Sequence, residues 1–213
     1  MTNYQKILLL VFILAFLWSG INPPAGYSDW FLENSPIIVA IIALIFIGKY
    51  LKFSNVSYTL LTLYIMFPLV ASHFGVSGVA FGSTVGHWLD STRNMYDRVE
   101  HFMFGFLCFL PAKDIIMQVA RKENFWTLYY LPVDAIISLS ALYEIFEWLA
   151  AVTVNPHLAA SFYASQGDIF DTPKDMANAV VGAIIASLLY AIYRYYRDRH
   201  RSLREKIGDI VHA

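Results

Sequence analysis

Residues 36–53 read PIIVAIIALIFIGKYLKF, an apolar run that meets no charge until Gly48-Lys49-Tyr50-Leu51-Lys52. Crossing the hydrocarbon core of a bilayer takes about 20 mainly apolar residues at about 1.5 Å each. A run of this kind that stops at two lysines reads as a membrane helix reaching a charged surface. The turn into the next apolar run, 57–74, is short, so these two helices are expected to be antiparallel neighbours. Four more stretches qualify, at about 5–22, 97–117, 127–152 and 173–196. The expected fold class is therefore all-α, a polytopic membrane bundle of six transmembrane helices.

Composition agrees with that reading. Hydrophobic residues make up 58% of the chain and charged residues 15%, against about 45–50% and about 25% in soluble proteins. The net charge of -1 conceals an asymmetry, because Arg194, Arg197, Arg199, Arg201, Arg204 and Lys206 crowd the end of the chain. With Lys6, Lys49, Lys52, Lys113, Arg121 and Lys122 they put twelve of the 15 basic residues on one side of a six-span arrangement. Both termini are thus expected in the cytoplasm. The organisation that follows is a membrane domain over 1–196 and a basic cytoplasmic tail over 197–213. The first apolar run, KILLLVFILAFLWSGI, lacks the A-x-A spacing of a cleavage site and is expected to stay as a span. Cys108 is the single cysteine, which excludes an intramolecular disulfide and a cysteine metal site. No nucleic-acid partner and no organic cofactor are expected; the partners are membrane lipids.

The link 75–96, GVSGVAFGSTVGHWLDSTRNMY, is too polar for a span, yet Gly78, Gly82 and Gly86 recur every four residues. That spacing predicts a short helix or re-entrant segment packed closely on the bundle. Gly75-Val76-Ser77-Gly78 matches the serine motif of rhomboid proteases, but the last span holds no histidine to activate it; His200 lies in the tail.

Ionisable groups in the apolar layer cost about 2.5 to 3.5 kcal/mol each near a helix centre and need partners or water. Here they gather at one depth. His73 ends the third span, Asp97, Arg98, Glu100 and His101 open the fourth, and Glu144 and Glu147 lie in the outer half of the fifth. Asp168, Asp171, Asp175 and Asn178 begin the sixth. Asp97, Glu100, His101 and Phe104 share one helix face by their spacing, as do Ser140, Glu144, Glu147 and Ala151, and Asp171, Asp175, Asn178 and Gly182. Three polar stripes are expected to face one another around an outward-facing cavity. Asp134, on the fifth span, lies deeper. Thr172-Pro173-Lys174-Asp175 also reads as a capping box, with Thr172 at the N-cap and Asp175 as its third-position acid.

Arg93 and Arg98 are the nearby permanent cations and the candidates for a structural ion pair. The acids outnumber them, so protons or a bound cation must balance the excess. A divalent metal does this, and imidazole mixed with carboxylates suits zinc, iron or manganese. The candidate ligands are His101, Glu144, Glu147 and Asp171, with Asp97, His73 and Asp175 as alternates or outer partners. Glu144 and Asp168 are the candidate general bases. The chemistry this permits is metal-dependent hydrolysis or transfer on a lipid or lipid-linked substrate. The alternatives are a proton- or cation-coupled transporter, continued inward by Asp134, and a non-catalytic structural or partner-binding protein.

Four motifs carry a family resemblance: Asp29-Trp-Phe-Leu-Glu-Asn34; Arg93-Asn94 with Tyr96-Asp-Arg-Val-Glu-His-Phe102; Glu144-Ile-Phe-Glu-Trp148; and Gln166-Gly-Asp-Ile-Phe-Asp171 with Asp175. Together they resemble the YjdF-like family of bacterial inner-membrane proteins over nearly the whole chain. The resemblance implies a multi-pass protein of the inner membrane and leaves its chemistry open. The last segment is also similar, in part, to VanZ-like membrane proteins.

Overall fold

A computed structural model describes residues 1–153 and 166–211. Among them the chain forms α1 (Asn3–Ser19), α2 (Tyr27–Ile47), α3 (Asn55–Phe74), a 3-10 turn (Val76–Gly78), α4 (Ala80–Trp88) and α5 (Tyr96–Ala120). A π turn (Trp126–Tyr130) then leads into α6 (Leu131–Thr153), and α7 (Asp171–Val211) follows. Among the described residues five helices are long and apolar enough to cross a membrane: Tyr27–Phe46, Asn55–Phe74, Tyr96–Ala120, Trp126–Thr153 and Asp171–His200. The apolar α1 is shorter, at 17 residues. Fewer than a third of the residues in each of the five are buried, which suits helices whose outer faces meet lipid.

Two boundaries differ from the sequence expectation. α2 begins at Tyr27 rather than near residue 36, because Pro36 is carried inside the helix. Asp29, Glu33 and Asn34 are therefore helical residues and not part of a linker, and all three are buried. α7 continues past 196 to Val211, about 60 Å at helical rise, so the basic end prolongs the last span as helix.

Small residues set how the helices pack. A Cβ on Gly105 of α5 would strike the backbone carbonyl of Ala179, and one on Gly182 of α7 would strike that of Phe102. α5 and α7 thus lie backbone to backbone, the approach that small residues permit in membranes. Cys108, Ile136, Ala179 and Ala183 form a core that ties α6 to the same pair. At the other end of α5, Asp114 accepts from the Ser54 amide (3.0 Å) and the Ser57 hydroxyl (2.7 Å). Gln118 there exchanges two hydrogen bonds with the Lys52 backbone. The short turn between α2 and α3 is pinned to α5 by these contacts.

The glycine-rich link packs as its spacing predicts, with one exception. A Cβ on Gly82 would collide with Asn94 and Tyr96, and one on Gly86 with the Arg93 carbonyl, whereas Gly78 meets only Phe74 at ordinary contact distance. α4 therefore braces the turn that starts α5.

Candidate metal centre

The site is assembled where α5, α6 and α7 converge. Asn94 fixes the entry to α5. Its side-chain amide donates to the Ser77 and Val79 carbonyls and to the Ser83 hydroxyl, while its oxygen accepts from the Tyr96 amide. Its backbone is paired by Gln166, which accepts from the Asn94 N–H (2.9 Å) and donates to the Asn94 carbonyl (3.0 Å). This clamp holds the start of the Asp168–Asp171 turn against α5. Neither residue stands among the candidate ligands; what marks them in the sequence is that each adjoins an acidic motif.

Asp171 sits between the two arginines, 2.5 Å from Arg93 Nη2 and 2.6 Å from Arg98 Nη2. Arg98 also donates to the Asp171 carbonyl (2.8 Å) and to Asp168 Oδ2 (3.2 Å), and pairs with Asp175 Oδ2 at 2.5 Å. Arg93 lies 3.7 Å from Asp97 Oδ2. The arginines thus pair with aspartates rather than with Glu144 or Glu147. Asp168 takes a further bond from Lys174 (2.6 Å) and one from the Phe170 amide. Lys174 first, then that amide, hold its carboxyl below the ordinary aspartate range. A carboxylate held in this way is the weaker of the two candidate bases.

Asp175 does not close a capping box. α7 begins at Asp171, one residue ahead of Thr172. Asp175 Oδ2 faces Arg98, and its Oδ1 is buried with no hydrogen-bond partner among the described residues. The Thr172 side chain instead hydrogen-bonds Glu144. Asn178 flanks the acidic face and bonds back to the Lys174 carbonyl; Ala179 takes the buried position in its place.

Beyond the arginines the polar groups change character. His101 Nε2 is 3.3 Å from Glu144 Oε1 and 3.6 Å from Asp97 Oδ1. Asp97, His101 and Asp175 each offer a ligand atom within 4.8 Å of the others. All four residues are at most 8% exposed. Among the described residues neither Glu144 Oε1 nor Asp175 Oδ1 has a hydrogen-bond partner. Ser140 Oγ lies 3.5 Å from His101 Nδ1, the ring nitrogen that does not face Asp97 and Glu144. Metal bonds of about 2.0–2.1 Å in tetrahedral array place neighbouring donor atoms about 3.3–3.4 Å apart. The distances around His101 Nε2 are long for hydrogen bonds; the 3.3 Å to Glu144 equals that separation and the 3.6 Å to Asp97 exceeds it.

Of the remaining sequence candidates, Glu147 is buried one turn beyond Glu144, within electrostatic reach of Asp97. Asp171 is occupied by the arginines. His73 lies elsewhere, its ring against Trp18 at 4.6 Å and its Nδ1 3.1 Å from the Ser19 carbonyl. Two acids outside the candidate ligand set join the group: Glu100 and, from α2, Glu33, both buried and within electrostatic reach of Asp97. Asp29 and Glu33 obey the same i, i+4 spacing as the recognised stripes, a signal the sequence did hold.

The family described as "Predicted membrane protein (DUF2238)" matches residues 4–196. The chain belongs to this family. It is also 28% identical over 182 residues to the "Inner membrane protein YjdF" of Escherichia coli (strain K12), covering 85% of this chain and 86% of that protein. No solved structure matches. The YjdF-like resemblance read from the four motifs is thereby established, and this DUF2238 member is a multi-pass protein of the inner membrane.

Proposed function

We propose that this is a six-span protein with cytoplasmic termini whose outward-facing end binds a divalent cation through His101, Asp97, Asp175 and Glu144. The supporting observation is the spacing of Asp97 and Glu144 around His101 Nε2, beside two buried carboxylate oxygens that have no hydrogen-bond partner among the described residues. The arginines and Lys174 are engaged with aspartates, which leaves the glutamates of this layer without a permanent cation. Zinc, iron or manganese suits the mixed donor set. For the topology, α1 has the minimum length of a span, and the basic residues favour one side.

The function this geometry supports best is metal-assisted hydrolysis or transfer on a lipid or lipid-linked ester. A bound cation makes a water acidic and polarises the bond to be broken. His101, Asp97, Asp175 and Glu144 would hold the cation, and with Glu144 engaged the buried Glu147, one turn further along α6, would be the group to take the water's proton and return it to the alcohol released when the ester bond breaks. With a second alcohol in place of water the outcome is transfer. The transport alternative gains no support from Asp134, which is exposed on α6. Metal analysis of protein purified without chelator tests the site: about one divalent ion per chain in the wild type, lost in His101→Ala and Asp97→Asn. A wild type free of divalent ions overturns it. Reporter fusions after residue 90 and at the C-terminus test the orientation.

A further inference from the structure

A cavity of about 480 Å³ opens beside the cluster between α2, α3, α5 and α6. One end is polar: Glu33, Glu100, His101, Tyr64, Ser140 and Tyr143 line it. The rest is hydrocarbon, running down α2 to Leu44 and down α5 to Ile116. At helical rise those stretches are about 16 Å and about 24 Å long, at least the depth of one leaflet of a core about 30 Å thick. The volume lies within the range of about 300–1,000 Å³ typical of small-molecule sites.

The polar end poses a chemical problem. Glu33 and Glu100 are 4% and 8% exposed, and neither forms a hydrogen bond or an ion pair with another described residue. Arg98, the arginine on the same helix, is turned toward Asp171 and Asp175. Buried acids facing a hydrocarbon-lined space call for donors, and an occupant of the cavity can supply them.

We infer that the cavity binds a single-chain amphiphile with its hydrocarbon chain along α2 and α5 and a cationic, hydrogen-bond-donating head against Glu33 and Glu100. This deepens the proposed function by naming the class of molecule that reaches His101. Its role as substrate rests on the cation site; its binding does not.

The experiment uses the full chain in phosphatidylcholine vesicles with a hexadecylamine carrying a photoreactive diazirine at the chain end, and the palmitic acid analogue of equal length. The amine is expected to label residues around Ala112, Ile116 and Leu44 at least tenfold more than the acid. Ala40→Phe, which fills the cavity from an exposed position on α2, is expected to cut that labelling tenfold while the melting temperature is kept. Glu33→Gln with Glu100→Gln is expected to abolish the preference for the amine. Equal labelling by amine and acid, or labelling undiminished in Ala40→Phe, overturns the inference. Asp97→Asn separates the two readings, because it is expected to lose the metal and keep the labelling. Labelling lost together with the metal overturns the assignment of the head to Glu33 and Glu100.

Discussion

Gly105 of α5 and Ala179 of α7 meet backbone to backbone, with no room for a side chain at Gly105. The contact lies one turn from His101 and one turn from Asp175. A tight helix crossing thus sets the separation of His101 and Asp175, two of the proposed ligands. Gly105→Leu is expected to destabilise the protein by about 1–3 kcal/mol through overpacking and to reduce metal content at the same time. Thermal unfolding in detergent and metal analysis of the same sample check it.

Arg98 is largely buried and bridges Asp168, Asp171 and Asp175. Removing one partner of such a group leaves uncompensated charge and costs about 3–5 kcal/mol. Arg98→Met is expected to fall in that range, and Arg98→Met with Asp175→Leu to cost less than the sum of the two single changes. A double-mutant cycle of unfolding free energies measures the coupling.

The Gln166 clamp contributes two hydrogen bonds to the Asn94 backbone. Gln166→Ala is expected to cost about 1–3 kcal/mol by leaving these groups unsatisfied. Gln166→Glu keeps the acceptor for the Asn94 N–H and loses the donor, so it is expected to cost less. Hydrogen exchange at the Asn94 amide reports this, faster in the alanine variant than in the glutamate variant.

Asp168 gives a pH dependence with a defined sign. Its carboxyl is held below the ordinary value of 3.8 by Lys174 and the Phe170 amide. A depressed folded-state pKa contributes stability above the unfolded value, and that contribution is lost as pH falls through the folded one. Wild type is expected to exceed Asp168→Asn in melting temperature at pH 6, with the gap closing as the pH falls below about 4. Lys174→Ala is expected to narrow the gap at pH 6.

Much of the fold was legible because membrane helices announce themselves by length and apolarity. The Asp97/His101 and Glu144/Glu147 stripes were legible because helical spacing fixes which side chains share a face. The start of α2 was not, since Pro36 opens the apolar run and a proline there looks like a first helical residue. A helix carrying proline inside moved Asp29 and Glu33 from linker to interior. The division of labour among the acids was not legible either. Asp171 and Asp175 have the same spacing logic, and only packing decides that both arginines converge on Asp171 while Asp175 keeps an oxygen free of hydrogen bonds. His73 shares the depth of the cluster but turns to α1, and depth along a helix carries no information about direction.

The chain has one cysteine, and it is buried in α5 where it lines the cavity. The aqueous surface is therefore a blank background for labelling. A cysteine introduced at an exposed position is the sole thiol a polar maleimide meets, and spin labels or dyes can be attached without first stripping native thiols. The thiol of Cys108 answers to a different reagent, one that partitions into hydrocarbon and enters the cavity. Labelling chemistry thus separates inside from outside in this protein without a cysteine-free background.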